Sequence, residues 1–215
     1  MKASRVSGKS TAFLRRYWHV GLYPLGLIPA VWLVWQGQNG ELGADPVNVF
    51  ERSLGLWAFR FLLICLALAP MQKIIGINLL RFRRLTGLLA FFYAVMHLAS
   101  YLALDLQFDI SIFWRDVTRR PFIILGMVAL VLLLPLAVTS NRISMRGLKR
   151  NWKRLHRLVY VAAVLAGIHF FLSFKTLNST TAFYLTVMGL VLLTRVPALV
   201  SAGRCVLTHS GARRS

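Results

Sequence analysis

The sequence predicts an all-α, polytopic membrane protein: a bundle of six transmembrane helices with both termini in the cytoplasm. Three observations predict it. Of the 215 residues 57% are hydrophobic, and mean hydropathy is +0.63. Charged residues make up 15%, against about 25% in an ordinary soluble domain, and they fall in clusters. Between the clusters lie apolar runs of about 20 residues, the length that crosses a hydrocarbon core about 30 Å thick.

The runs occupy about 18–36, 54–72, 85–104, 121–139, 157–174 and 181–200. Lipid offers the backbone no hydrogen-bond partners, so runs this long and continuous are helices rather than barrel strands. The first follows a basic N-terminus, as in a secretory leader, but no A-x-A-like cleavage site ends it, and it reads as an uncleaved span. The second carries one basic residue, Arg60, inside its apolar stretch. The third and fifth each carry a histidine, His97 and His169. The fourth, from Pro121, ends in the polar sequence TSN, and the sixth ends in the basic tail. The chain then divides into a basic cytoplasmic N-terminus (1–17), a six-helix domain (18–200) and a basic cytoplasmic tail (201–215).

Charge fixes the orientation. Twenty of the 26 Lys and Arg residues lie before the first span, after the second (Lys73, Arg81, Arg83, Arg84), after the fourth (Arg142 to Arg157) and in the tail. All six acids (Glu41, Asp45, Glu51, Asp105, Asp109, Asp116) fall on the other side. Positive residues stay inside, so the net charge of +20 is a topology signal with added attraction to anionic headgroups. It is not a nucleic-acid footprint. Cys65 and Cys205 form no CxxC or CxxCH pattern, which excludes covalent c-type haem attachment on this sequence. No glycine-rich nucleotide fingerprint and no transporter-like internal repeat stand out.

On this topology spans three and five run in the same direction. His97 lies about 18 Å and His169 about 20 Å up their helices, so the two sit at matched depth in the outer half of the membrane. Ionisable groups there are costly and mark functional sites. A metal removes the cost, and haem iron takes two neutral imidazoles axially. Ala90 and Ala94 precede His97 at the offsets at which Ala162 and Ala166 precede His169, which leaves room for a porphyrin on each histidine's side. His156 begins span five beside Arg154 and Arg157. Its spacing to His169 also suits a second haem below the first, but Arg83 and Arg84 stand where the partner ligand on span three would be.

The stretches GINLLRFRRLTGLLAFFYAVMHLASYLALD, LLLPLAVTSN and NWKRLHRLVYVAAVLAGIHF resemble the haem-binding membrane subunit of the bacterial methionine sulfoxide reductase system, the MsrQ (formerly YedZ) family. That family is related to the membrane part of ferric reductases and NADPH oxidases. The resemblance runs from about residue 50 to 200. It implies b-type haem, six helices in the inner (cytoplasmic) membrane, and His97, His156 and His169 as haem ligands. It implies electrons from the quinone pool or a cytosolic flavin reductase, and a flavin mononucleotide (FMN) cofactor is compatible with it. Their destination is a periplasmic molybdenum-cofactor subunit that reduces methionine sulfoxide in proteins. The absent second histidine on span three leaves the number of haems open.

Two further expectations concern arginines. Arg83 and Arg84, with Arg81, Arg154 and Arg157, converge at the inner ends of spans three and five, where they can hold an anionic cofactor or propionates. Arg60, about 9 Å along its helix, either snorkels outward or pairs with a haem propionate. The reading is thus an electron conduit in the lipid bilayer without its own organic substrate. The alternatives are a stand-alone ferric or quinone-linked reductase and a non-redox transporter or scaffold.

Overall fold

The structure, a computed structural model, describes residues 22–174 and 178–195. Residues 18–21 of the first span and 196–200 of the sixth, both terminal segments, His19, His209 and Cys205 lie outside the described residues. Among the described residues eight α-helices follow one another: α1 (Leu22–Gln38), α2 (Pro46–Ile75), α3 (Arg83–Ser100), α4 (Ile110–Arg119), α5 (Pro121–Val138), α6 (Arg142–Leu155), α7 (Leu158–Phe174) and α8 (Ser179–Leu193). There is no strand among the described residues.

Among the described residues three stretches are long and apolar enough to cross a membrane: α2, the run Leu80–Asp105 that contains α3, and α5. A fourth forms if α6 and α7, bent by 49° at their junction, count as one span. α8 is a shorter apolar helix.

Capping explains where the elements depart from the hydropathy reading. Hydropathy puts the second run over about 54–72, yet α2 starts at Pro46. There the Asp45 carboxylate accepts from Asn48 N at 3.2 Å and proline occupies the first turn, where its missing N–H costs nothing. Gly76, at φ +77°, closes its other end by donating to Gln72 O. Two polar segments that hydropathy leaves as loops are amphipathic helices instead. Asp109 caps α4 by accepting from Ser111 N and Ile112 N, and Asn141 caps α6 by accepting from Ser144 N. α6 carries its basic residues largely exposed, as an interfacial helix does.

The closest packing is within two helix pairs, α2 with α3 and α5 with α7. One core joins them through Leu62, Leu66, Ala90, Leu133, Leu136, Val159, Ala162 and Ala163. Ala90 and Ala162, expected to leave space, are buried in this core at 1% and 0% exposure. Small residues let helices approach closely, so they draw the pairs together below the histidines. Ala94 and Ala166 are only half-buried.

α1 is fastened through one side chain. Tyr93, fully buried on α3, accepts from Ala30 N at 3.1 Å and donates to Gly26 O at 2.8 Å. Those two groups stand four residues apart and would ordinarily bond each other. The phenol is inserted into the ladder beside Pro29, a recognised origin of a bend. Tyr93→Phe leaves both groups without this partner and is expected to lower stability by about 1–3 kcal/mol. Thermal unfolding in detergent checks this, with α1 becoming the first site of proteolysis.

Candidate redox-cofactor site: a histidine pair between two helix hairpins

His97 on α3 and His169 on α7 face each other with ring centroids 6.3 Å apart. Each is fixed in the same way. His97 Nδ1 lies 2.9 Å from Glu51 O on α2, and His169 Nδ1 lies 2.7 Å from Phe122 O on α5. A carbonyl only accepts, so both Nδ1 atoms carry the proton and donate it. Each Nε2 is left with its lone pair, and no hydrogen bond engages either Nε2 among the described residues.

A glycine makes each bond possible. Side chains on a helix lean toward its N-terminus, so the residue four places after a carbonyl covers it. Those residues are Gly55 and Gly126. A Cβ on Gly55 would stand 3.3 Å from His97 Nδ1, and one on Gly126 would stand 2.9 Å from His169 Nδ1. Donor and acceptor are 46 residues apart in one hairpin and 47 in the other. The site is therefore built twice, once from α2 and α3 and once from α5 and α7.

The donor set suits a particular kind of metal. No group of three or more His, Cys, Asp or Glu side chains forms a metal cluster among the described residues, so a free ion would lack ligands. Haem iron brings four equatorial nitrogens and needs only two axial ones. Two nitrogen–metal bonds of about 2 Å, with about 1.2 Å from each nitrogen to its ring centre, give about 6.4 Å between ring centres. The observed 6.3 Å fits that requirement. Glu51, whose backbone oxygen holds His97, also has a buried Oε1 with no hydrogen-bond partner among the described residues.

The other expected site residues lie elsewhere. His156 caps the C-terminal end of α6, with Nε2 at 3.2 Å from Thr139 Oγ1 and its ring stacked on Trp152 at 4.0 Å. The Thr139 hydroxyl donates to Pro135 O, so it accepts from His156 Nε2–H. That leaves Nδ1 as the lone-pair atom. Arg83 is half-buried and Arg84 exposed. Arg60 is not brought to the histidine pair. It lies five residues past Gly55, about 140° round the helix, where Nε donates to Tyr184 OH at 2.7 Å and the guanidinium stacks 4.6 Å from Trp57.

Sequence reasoning missed Gly55, Gly126, Tyr184 and Thr139. A signal for the glycines was present. Leu54-Gly55-Leu56-Trp57-Ala58 and Leu125-Gly126-Met127-Val128-Ala129 share a pattern, and each precedes an Ala-x3-Ala-x2-His stretch.

Comparison with known proteins shows the family. Residues 54–167 match the family described as "Ferric reductase like transmembrane component", so the chain is a ferric reductase-like transmembrane protein. His169 stands just beyond the matched stretch. Three relatives carry the name "Protein-methionine-sulfoxide reductase heme-binding subunit MsrQ". That of Brucella anthropi is 46% identical over 197 residues, 91% of this chain and 90% of its own. Those of Brucella melitensis biotype 2 and Brucella ovis are 46% and 45% identical over 194 residues, each covering 86% of this chain and 88% of its own. The chain belongs to the MsrQ family.

Gly126→Ala forces the His169 ring off its carbonyl, and overpacking of this kind costs about 1–3 kcal/mol. Gly147, in exposed α6, has open space where a Cβ would stand, with nothing within 4 Å. Gly147→Ala should therefore be neutral or stabilise by up to about 1 kcal/mol. Paired thermal melts in detergent test the difference.

Proposed function

We propose that this chain is a transmembrane b-type cytochrome, the electron-carrying subunit of a methionine sulfoxide reductase system. In this reading it sits in the bacterial inner membrane with six spans and both termini in the cytoplasm. Electrons come from the quinone pool or a cytosolic flavin reductase. They leave to a periplasmic molybdenum-cofactor subunit that reduces methionine sulfoxide and so repairs oxidised periplasmic proteins. The observation that carries the reading is the pair of opposed imidazoles, each tied at Nδ1, at the separation that two axial ligands of one iron require. The names of the relatives, heme-binding subunits of a protein-methionine-sulfoxide reductase, support it.

His97 and His169 hold the haem. Bound there, it supplies one-electron redox chemistry that no amino-acid side chain of the site offers. The protein does the rest. Donation from Nδ1 to a carbonyl fixes the tautomer and ring orientation and makes Nε2 a more basic ligand. With His97 and His169 both engaged by a haem, oxygen would find no free ligand position, which would suit electron transfer over oxygen chemistry. Phe59 and Phe170, stacked at 5.0 Å with Tyr184 on their edge, pack the space between α2, α7 and α8.

One haem is assigned. His156, engaged by Thr139 and Trp152, is read as a fastener of the inner α5–α6 corner, and a second haem would have to take its Nδ1. Arg60 is read as a clamp between α2 and α8 through Tyr184, in preference to a propionate partner. Arg83 and Arg84, at the inner end, are the residues read as holding anionic groups, including the phosphate of FMN.

Absorption and electron paramagnetic resonance spectra of the purified protein test the assignment. Wild type should show a low-spin haem b, and His97→Ala and His169→Ala should each abolish it. A bis-imidazole spectrum that survives His97→Ala rules the assignment out.

A further inference from the structure

We infer that the cavity between α1 and α2 is a binding site for the ring of a membrane quinone, in its oxidised or its hydroquinone form. The site rests on the quinone-linked reading proposed above and gives that quinone a place; its geometry does not depend on haem.

The cavity has a volume of about 460 Å³, within the range of small-molecule sites. It lies at the bend of α1, with Pro29 in its wall, and Trp32 and Trp57 give it an aromatic lining from both helices. Trp32 is 55% exposed, so the cavity is reached from the surrounding bilayer. Its polar groups stand at two levels. Gln36 and Ser53 line one end, near the outer ends of their helices. Arg60 lines the other, about 10 Å further along α2. All three are half-buried.

Part of this has a plain structural reason. Arg60 gives Nε to Tyr184 OH and lays its guanidinium on Trp57, which ties α8 to α2. That bond takes one of its five N–H groups. The Nη groups, like the side chains of Gln36 and Ser53, have no hydrogen bond among the described residues. Polar groups in a membrane are costly until they are bonded.

The occupant that meets them is narrowly defined. A hydrocarbon chain offers no acceptor. A phospholipid headgroup keeps its oxygens at the membrane surface, level with Gln36 and Ser53, and leaves Arg60 unmet. The cavity needs oxygen at both ends and a flat apolar body between. A quinone ring, with its oxygens about 5 Å apart and a hydrogen bond of about 2.8 Å at each, bridges a gap of that order. The Ser53 hydroxyl and the Gln36 amide both donate and accept, so they suit a carbonyl or a phenolic hydroxyl, and Arg60 donates to either oxygen. The two tryptophans flank the ring.

The position fits as well. Ser53, Trp57 and Arg60 lie about 140–200° round α2 from Gly55, which backs His97. The cavity and the histidine pair are therefore on opposite sides of one helix about 10–12 Å thick. A ring held there is next to the pair without touching either imidazole.

The test uses the full chain, exchanged exhaustively through detergent, and ubiquinone-1 as probe, oxidised and reduced. Binding is read by isothermal titration calorimetry. Wild type should bind one ring per chain, saturably. Arg60→Gln should weaken binding about tenfold or more, the loss of a charge-assisted bond, and Arg60→Lys should rescue part of it. The double variant Gln36→Leu with Ser53→Ala, which leaves the α2–α8 tie alone, should weaken it as well. Tyr184→Phe, which removes that tie and leaves the guanidinium in the cavity, should retain it. The site is overturned if wild type shows no saturable binding, or if Arg60→Gln and the double variant both bind as tightly as wild type. Displacement of the probe by equimolar phosphatidylethanolamine would make the cavity a lipid seat and overturn it too. Haem absorption recorded on the same samples separates the two readings: intact haem bands without quinone binding sink the cavity assignment alone, and quinone binding without haem bands sinks the cytochrome alone.

Discussion

An imidazole placed inside a membrane has two nitrogens to satisfy, and hydrocarbon satisfies neither. The histidine pair meets this constraint by division. Nδ1 is given to a backbone carbonyl of the neighbouring helix, and Nε2 keeps its lone pair, with no hydrogen bond to it among the described residues. Much of the remaining architecture follows. The carbonyl must be reachable, so a glycine stands four residues after it. The two helices of each hairpin must lie close, so α2 packs on α3 and α5 on α7. The two hairpins must meet at one level, so small residues, Ala90 and Ala162, join them in a common core beneath the pair.

The molecule is polar in its charge as well as doubled in its site. Acids gather at the end nearer His97 and His169, where Glu51 lends its backbone oxygen to the site and keeps a buried carboxylate oxygen with no hydrogen-bond partner among the described residues. Basic residues gather at the other end, where the Arg83 backbone oxygen accepts from Cys65 and Arg195 donates to Leu66 O. On the proposed function, receipt of electrons at one face and delivery at the other would use two such unlike ends. Steering of charged partners depends on fields of this kind. Arg60, held by Tyr184 and Trp57, belongs to neither end; it ties α8 to α2.

Hydropathy and charge made the helical class legible, because backbone satisfaction in lipid leaves few choices. The pairing of His97 with His169 was legible for a related reason: helix rise converts residue spacing into depth. Where side chains decide, the sequence was less readable. The early start of α2 depends on Asp45 and Pro46, and α4 and α6 depend on the caps Asp109 and Asn141, which window hydropathy averages away. Gly55 and Gly126 share a local Leu-Gly-x2-Ala pattern that marks them as a matched pair. Their role appears only when the histidine of another helix is brought against them, a long-range contact that the pattern does not report. The alanines show the reverse error. Their matched spacing is real, but at Ala90 and Ala162 it serves helix approach instead of making space.

The central claim is that two neutral imidazoles, each held by a carbonyl, leave no open axial position on a metal between them. The most direct measurement is the electron paramagnetic resonance spectrum of the oxidised wild-type protein, followed by exposure of the reduced protein to carbon monoxide. The account predicts a low-spin ferric signal of the two-imidazole type and a reduced spectrum that carbon monoxide does not change. A high-spin ferric signal, or ready formation of a carbon monoxide complex, would contradict it.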